Sequence, residues 1–225
     1  MIGLLASGLV VANDSNNERC YLLVHQALKR SGSPCCVVTN MDAMTMPNTE
    51  SGDVVNMNFD RILCDVPCSG DGTLRKNINL WKEWNAVQAY GLHKLQLKIA
   101  LRCAKLLKVG GLMVYSTCSM NPIEDEAVVA TLIAQSHERL ELMPTRHMLP
   151  KLIRCDGLFT WKVHEGRFVH HLNIFELPQV SDNSGTFYEN HGQLPDHFKR
   201  KIPNTAFPPD LETAREMHLE RWCAH

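Results

Sequence analysis

Two cysteines sit in segments whose composition is hard to explain by folding alone. Cys68 lies in Asp65-Val66-Pro67-Cys68-Ser69-Gly70-Asp71-Gly72-Thr73, directly after an apolar run. The proline fixes the backbone there and the glycines permit a tight excursion, so an acid and a thiol are held at one strand end. Cys118 occupies the corresponding place after a later run, in Ser116-Thr117-Cys118-Ser119, ahead of a helix expected from Pro122. A thiol near a helix N-terminus gains thiolate character, which makes it a candidate nucleophile. Spacing and chemistry do not rank the two thiols. The other cysteines, such as Cys20, Cys36 and Cys103, read as small buried hydrophobes.

Three acids stand in comparable positions. Asp14 follows the run at 9–13, Asp42 follows the run at 35–39, and Asp65 ends the run at 61–65. Each alone is a turn or helix-cap residue as readily as a ligand. Together, past three consecutive strands, they point to a crevice for a ligand with hydroxyl and amino groups, because doubly wound sheets bind ligands at the carboxyl ends of their strands.

The elements that must position these groups follow from periodicity. Short runs rich in Val, Ile and Leu predict strands at 9–13, 35–39, 61–65 and 112–116, and helical spacing predicts helices at 17–30, 80–107 and 122–136. This alternation is that of a parallel sheet with crossover helices, an α/β fold. The middle helix is open to division at Gly91; its apolar side is expected to carry Trp81, Trp84, Leu92, Leu95, Ile99, Cys103 and Leu106, with Gly110-Gly111 ending it. The third helix is expected to start with Asn121 as N-cap, Pro122 in the first turn and Glu124 as a capping-box carboxylate. Beyond about residue 140 the periodicity weakens. A hairpin of 159–164 with 167–171 through Glu165-Gly166, a loop from 180 to 209 and a final helix at 211–223 are expected there. The chain is expected to divide there into 1–140, which carries both thiol segments, and its C-terminal continuation, 141–225.

The 225 residues, 44% of them hydrophobic, suffice for one sizeable core. No apolar run reaches the roughly 18 residues that span a bilayer, and a basic signal-peptide start is absent, so an intracellular protein without a membrane is expected. Nine cysteines without Cys-x-x-Cys spacing indicate reduced thiols, not a disulfide framework or a metal site. The net charge of −1 does not announce a nucleic-acid binder. Its distribution is more informative: between Asp71 and Gly110, Arg75, Lys76, Lys82, Lys94, Lys98, Arg102, Lys105 and Lys108 face only Asp71 and Glu83. That surplus suits either a solvated helix face or a phosphate-facing patch.

At these residues the sequence resembles the RNA (cytosine-5) methyltransferases of the NSUN type, and most closely their tRNA-methylating branch. The resemblance runs through Val11-Ala12-Asn13-Asp14, Arg19 to Gln26, Asp60 to Thr73 and Val114 to Glu126, then more thinly through Trp161-Lys162-Val163 and Met217 to Arg221. It implies a Rossmann-like fold, S-adenosylmethionine as cofactor and RNA, tRNA in particular, as partner. It further implies that Cys118 attacks position six of cytosine, which makes position five nucleophilic enough to take a methyl group, and that Cys68 assists product release. Asp14 would hold the cofactor ribose, Asp42 its adenine, and Asp65 would lie near the methyl-transfer centre. In the related DNA enzymes the Pro-Cys thiol attacks, so Cys68 stays the alternative nucleophile.

Family members also carry a strand and glycine loop before the segment of Asp14 and a strand after Arg221, neither of which is recognised here. The expectation is therefore an incomplete catalytic domain that binds the cofactor weakly or not at all and is only marginally stable. A non-catalytic form that binds RNA or a protein partner through the basic stretch is the second reading. A monomer is expected, with a nuclear or nucleolar location by family and the cytoplasm as the other option. Lys199-Arg200-Lys201 is too short to decide it.

Overall fold

A computed structural model describes residues 8–30, 35–47, 58–85, 87–145, 147–164, 187–217 and 223–224. The chain forms two compact units, Met1–Ile62 with Arg102–Met113, and Leu63–Leu101 with Val114–His225.

In the first unit, β1 (Val10–Asp14) leads through Asn16, whose side chain accepts from the Arg19 N–H, into α1 (Asn17–Leu23). A π-helical stretch, Val24–Arg30, continues it, and β2 (Cys36–Asn40) returns parallel to β1 in the register Val10↔Cys36 to Asp14↔Asn40. This is the expected strand–helix–strand unit, displaced by one residue at each strand. Side chains stitch the two strand ends together: Thr39 Oγ1 donates to Asn13 Oδ1 at 2.9 Å, and Asn13 Nδ2 donates to the Met41 carbonyl at 3.0 Å.

β3 (Phe59–Asp65) is hydrogen-bonded to a later strand, β4. Between them lie α2 (Leu80–Glu83) and α3 (Val87–Leu106). The expected long helix is thus divided at Trp84–Asn85 and not at Gly91. Trp84 turns to extended backbone (ψ 136°), and Asn85 Oδ1 accepts from the Gln88 N–H at 3.2 Å, a side-chain cap that starts α3 afresh. The stripe α3 buries most deeply is Ala89, Tyr90, His93, Gln96 and Ala100, while Leu92, Leu95 and Ile99 are half-buried and Trp81 is exposed. Of the side chains expected on the apolar face Leu106 is buried, and two polar ones outside that expectation, His93 and Gln96, are buried as well. β4 runs over Leu107–Ser116, so Gly110-Gly111 lies inside the strand instead of before it, with Gly110 at φ +76°. Lys108, at the start of β4, reaches Asp60 of β3 at 3.0 Å.

α4 (Glu126–Gln135) begins four residues later than expected. Asn121 Oδ1 accepts from the Ile123 N–H at 3.1 Å and its carbonyl accepts from Glu124 and Asp125, but Asp125 leaves helical backbone (φ −113°, ψ −87°). The core of the second unit joins α3 and α4 to the C-terminal region through Ala89, Tyr90, Ile123, Ala127, Trp161 and Ile202. There β5 (Cys155–Asp156) pairs antiparallel with the last strand, β8 (Cys223–Ala224), and β6 (Val163–His164) pairs antiparallel with β7 (Phe187–Tyr188). The expected partner strand at 167–171 and its turn lie outside the described residues. The stretch expected as loop contains β7 and α5 (Asp196–Lys199), and α6 (Leu211–Glu216) occupies the start of the expected final helix. No helix among the described residues is long and apolar enough to cross a membrane.

Candidate active site

β3 and β4 deliver the two thiols to one point. The Val66 N–H donates to the Ser116 carbonyl at 3.1 Å, which aligns the strand ends, and the chains then diverge into the Cys68 and Cys118 loops. Cys68 Sγ and Cys118 Sγ lie 3.2 Å apart, within reach of a shared hydrogen. The loops are laced by backbone. Gly72 N–H donates to the Cys118 carbonyl at 2.9 Å, and Met120 N–H donates to Asp71 Oδ1 at 3.0 Å. Gly70 takes a left-handed conformation (φ +75°), the excursion for which a glycine was expected.

The two thiols differ in surroundings. Cys118 is exposed, whereas Cys68 is half-buried. Burial, then the hydrogen bond to Cys118, pushes the Cys68 thiol up to about 12, so it holds its proton at neutral pH. The helix-terminus argument for Cys118 falls with the later start of α4, because Glu124 and Asp125 intervene between the thiol and the helix.

Those acids are where the sequence reading missed most. Glu124 caps nothing. It is wholly buried, and its carboxylate accepts from the Ser69 N–H at 2.8 Å, the Ser69 hydroxyl, Ser119 Oγ at 3.1 Å and Gln96 Nε2 at 3.0 Å. Asp125 Oδ1 accepts from Thr117 Oγ1 at 2.7 Å, and Glu126 Oε1 accepts from the Leu158 N–H at 3.0 Å. Three consecutive acids thus serve three separate sets of partners. Burial raises the Asp125 carboxyl to about 7. The detectable signal was the run Glu124-Asp125-Glu126 beside a thiol, but nothing in it names Ser69 or Gln96 as partner.

Asp65 shares the second unit with the thiols and accepts from Ser116 Oγ at 3.2 Å. Asp14 and Asp42 belong to the first unit. Asp14 ends β1, accepting from the Asn16 N–H at 2.9 Å and from Arg19 Nε at 2.9 Å. Asp42, two residues past β2, caps a short 3₁₀ turn through the Met44 N–H at 2.9 Å. The same unit holds an apolar recess of about 220 Å³ lined by Val11, Val37, Met41, Met46 and Phe59 among others, with Asp42 outside the lining. The basic surplus divides: Lys108 is paired with Asp60 and the Arg102 guanidinium donates to the Met46 carbonyl, while the side chains of Arg75, Lys76 and Lys82 are exposed.

A mixed α/β fold that brings two thiols to adjoining strand ends, with acids at further strand ends, is the class these observations define. The chain belongs to the family described as 16S rRNA methyltransferase RsmB/F, which it matches over residues 1–188. It is 52% identical to a tRNA (cytosine(34)-C(5))-methyltransferase of Drosophila melanogaster over 69% of this chain and 21% of that protein. To a multisite-specific tRNA:(cytosine-C(5))-methyltransferase of Schizosaccharomyces pombe it is 42% identical, over 96% of this chain and 30% of the relative. The crystal structure of PH0851 matches with a TM-score of 0.50 and 26% identity, covering 57% of this chain and 28% of that one. The chain therefore spans less than a third of the length of these relatives.

Proposed function

We propose that this chain is the thiol-bearing part of an S-adenosylmethionine-dependent RNA (cytosine-5) methyltransferase with a Rossmann-like fold, and that its substrate is tRNA. The carrying observation is the 3.2 Å approach of Cys68 and Cys118, in a chain whose relatives bear the names of tRNA cytosine-5 methyltransferases. In this reading 1–140 is the catalytic part and 141–225 its continuation.

Cys118, exposed, attacks position six of the cytosine and so makes position five nucleophilic. Cys68, whose thiol keeps its proton, stands against the attacking sulfur and assists its departure after methylation. Asp65, at the end of β3 on the Ser116 hydroxyl, would lie near the methyl-transfer centre. The residues of the first unit fit a nucleoside cofactor. Asp14 and Asp42 follow adjacent parallel strands, and an apolar recess reaches Met41, the residue before Asp42, so Asp14 would hold the ribose and Asp42 the adenine. Bound there, S-adenosylmethionine would supply the methyl group.

Trapping on RNA containing 5-fluorocytosine with S-adenosylmethionine added tests the assignment, since after methyl transfer position five carries fluorine where the removable proton would be, and the adduct stays in place. Wild type and Cys68→Ala are expected to form a protein–RNA adduct, and Cys118→Ala none. An adduct that survives Cys118→Ala but is lost in Cys68→Ala would make Cys68 the nucleophile.

A further inference from the structure

Among the described residues of the second unit, the carboxylates of Asp71 and Glu124 each touch both thiol loops, and of the two only Glu124 is fully buried. Glu124, 0% exposed, accepts from the backbone and hydroxyl of Ser69, next to Cys68, and from the hydroxyl of Ser119, next to Cys118. Gln96, equally buried, completes the frame: its Nε2 donates to Glu124 Oε2 at 3.0 Å and to the Pro67 carbonyl at 2.9 Å. Cys68 is therefore gripped on both sides, through Pro67 and through Ser69. Gln96 Oε1 has no hydrogen-bond partner. A buried acceptor left unpaired carries an uncompensated desolvation cost. The amide cannot turn over to avoid that cost, because Pro67 and Glu124 both present acceptors and both require its N–H groups.

We propose that Glu124 is the positioning residue of the two-thiol site: its carboxylate sets the approach of Cys68 to Cys118 by holding Ser69 and Ser119 to one buried anchor. The inference rests on the reading of both thiols as working groups. Glu124 hydrogen-bonds to neither sulfur, so it acts through the loops. Its geometry also separates positioning from charge. A glutamine at 124 can turn its oxygen to the Ser69 and Gln96 N–H donors and its amide to the two serine hydroxyls, which can accept as well as donate. An alanine can do neither.

The test measures thiol proximity without RNA or cofactor. Diamide takes the two thiol hydrogens of Cys68 and Cys118 and leaves a disulfide between them, and closure is followed by peptide mass spectrometry in the full chain. Glu124→Ala is expected to slow closure about tenfold or more, the effect of losing hydrogen bonds worth about 1 kcal/mol each. Glu124→Gln should stay within about threefold of wild type in closure and in 5-fluorocytosine adduct formation, since its hydrogen bonds can be re-formed. If Glu124→Ala does not fold, as judged by circular dichroism, Ser69→Ala, which deletes one anchored hydroxyl, takes its place and is expected to slow closure. Equal closure rates in wild type and the folded alanine variant would overturn the proposal. So would normal closure with lost adduct in Glu124→Gln, because the carboxylate would then act in the chemistry itself. Slowed closure with no adduct even in wild type would leave the positioning role standing and remove the proposed function.

Discussion

The backbone N–H of Cys118 donates to Cys68 Sγ at 3.3 Å, so the residue that presents the exposed thiol also engages the sheltered one. The pair is unequal, and alkylation should read the inequality directly. Burial is the main cause of the raised Cys68 value and the Cys118 contact the lesser. With iodoacetamide at about pH 8, near the ordinary thiol value, Cys118 is expected to be labelled well before Cys68. Cys68 should stay slow in Cys118→Ala, since its burial remains. Labelling of Cys68 as fast as that of exposed Cys155 would contradict the asymmetry.

Asp125 links this site to pH. Its carboxyl is raised from 3.8 to about 7 by burial, with Thr117 Oγ1 donating to it. The folded state holds this proton more tightly than the unfolded chain. The contribution to stability is thus fully present below about 3.8 and is lost as pH rises through about 7. Asp125→Asn keeps an oxygen for Thr117 and removes the charge. Its denaturation midpoint should match wild type near pH 4 and exceed it near pH 8, by on the order of a few kcal/mol in stability. Parallel curves for the two proteins across that range would show that Asp125 does not titrate in the fold.

Trp161 ties the C-terminal region to the second unit's core. It is buried, and its Nε1 donates to the Ala206 carbonyl at 2.8 Å. Trp161→Ala is expected to cost about 3–5 kcal/mol in chemical denaturation. Trp161→Phe refills much of the space but leaves the carbonyl unpaired, a loss of about 1–3 kcal/mol. A phenylalanine variant as stable as wild type would mean that water or a shifted donor replaces the indole.

These cases mark how far the sequence carried. The four strands, the helices between them and the two cysteine loops follow from local signals: apolar runs, a proline beside a thiol, glycines where the backbone must turn. Glu124 was taken for a cap because an acid three residues after Asn121 has that local meaning. Its real partner Ser69 lies 55 residues away. His93 and Gln96 carry no local signal that would place them in a core, and neither was expected there. Apart from Gln96 Oε1, their buried polar atoms are paired with Ile123, Thr205, Pro67 and Glu124, contacts that only the folded chain brings together. The break before α3 was legible in principle, since Asn85 is a good cap, but Gly91 was the louder signal.

Two glycines of the second unit should respond in opposite directions. A Cβ on Gly72 would stand 2.7 Å from the Cys118 carbonyl oxygen, a backbone atom already held by the Gly72 N–H. Neither partner can swing away as a flexible side chain would, so Gly72→Ala must push the Cys118 loop outward. Overpacking of this kind costs about 1–3 kcal/mol, and here the displacement falls on the proposed nucleophile, so both stability and 5-fluorocytosine adduct formation should drop. Gly91, inside α3, has no atom within 4 Å of its would-be Cβ. Gly91→Ala should therefore stabilise by about 0.5–1 kcal/mol, the helix-propensity difference, with adduct formation unchanged. Chemical denaturation of both variants beside wild type checks the pair. A Gly72→Ala protein with wild-type stability and adduct yield would mean that the two loops are not held as closely as their hydrogen bond indicates.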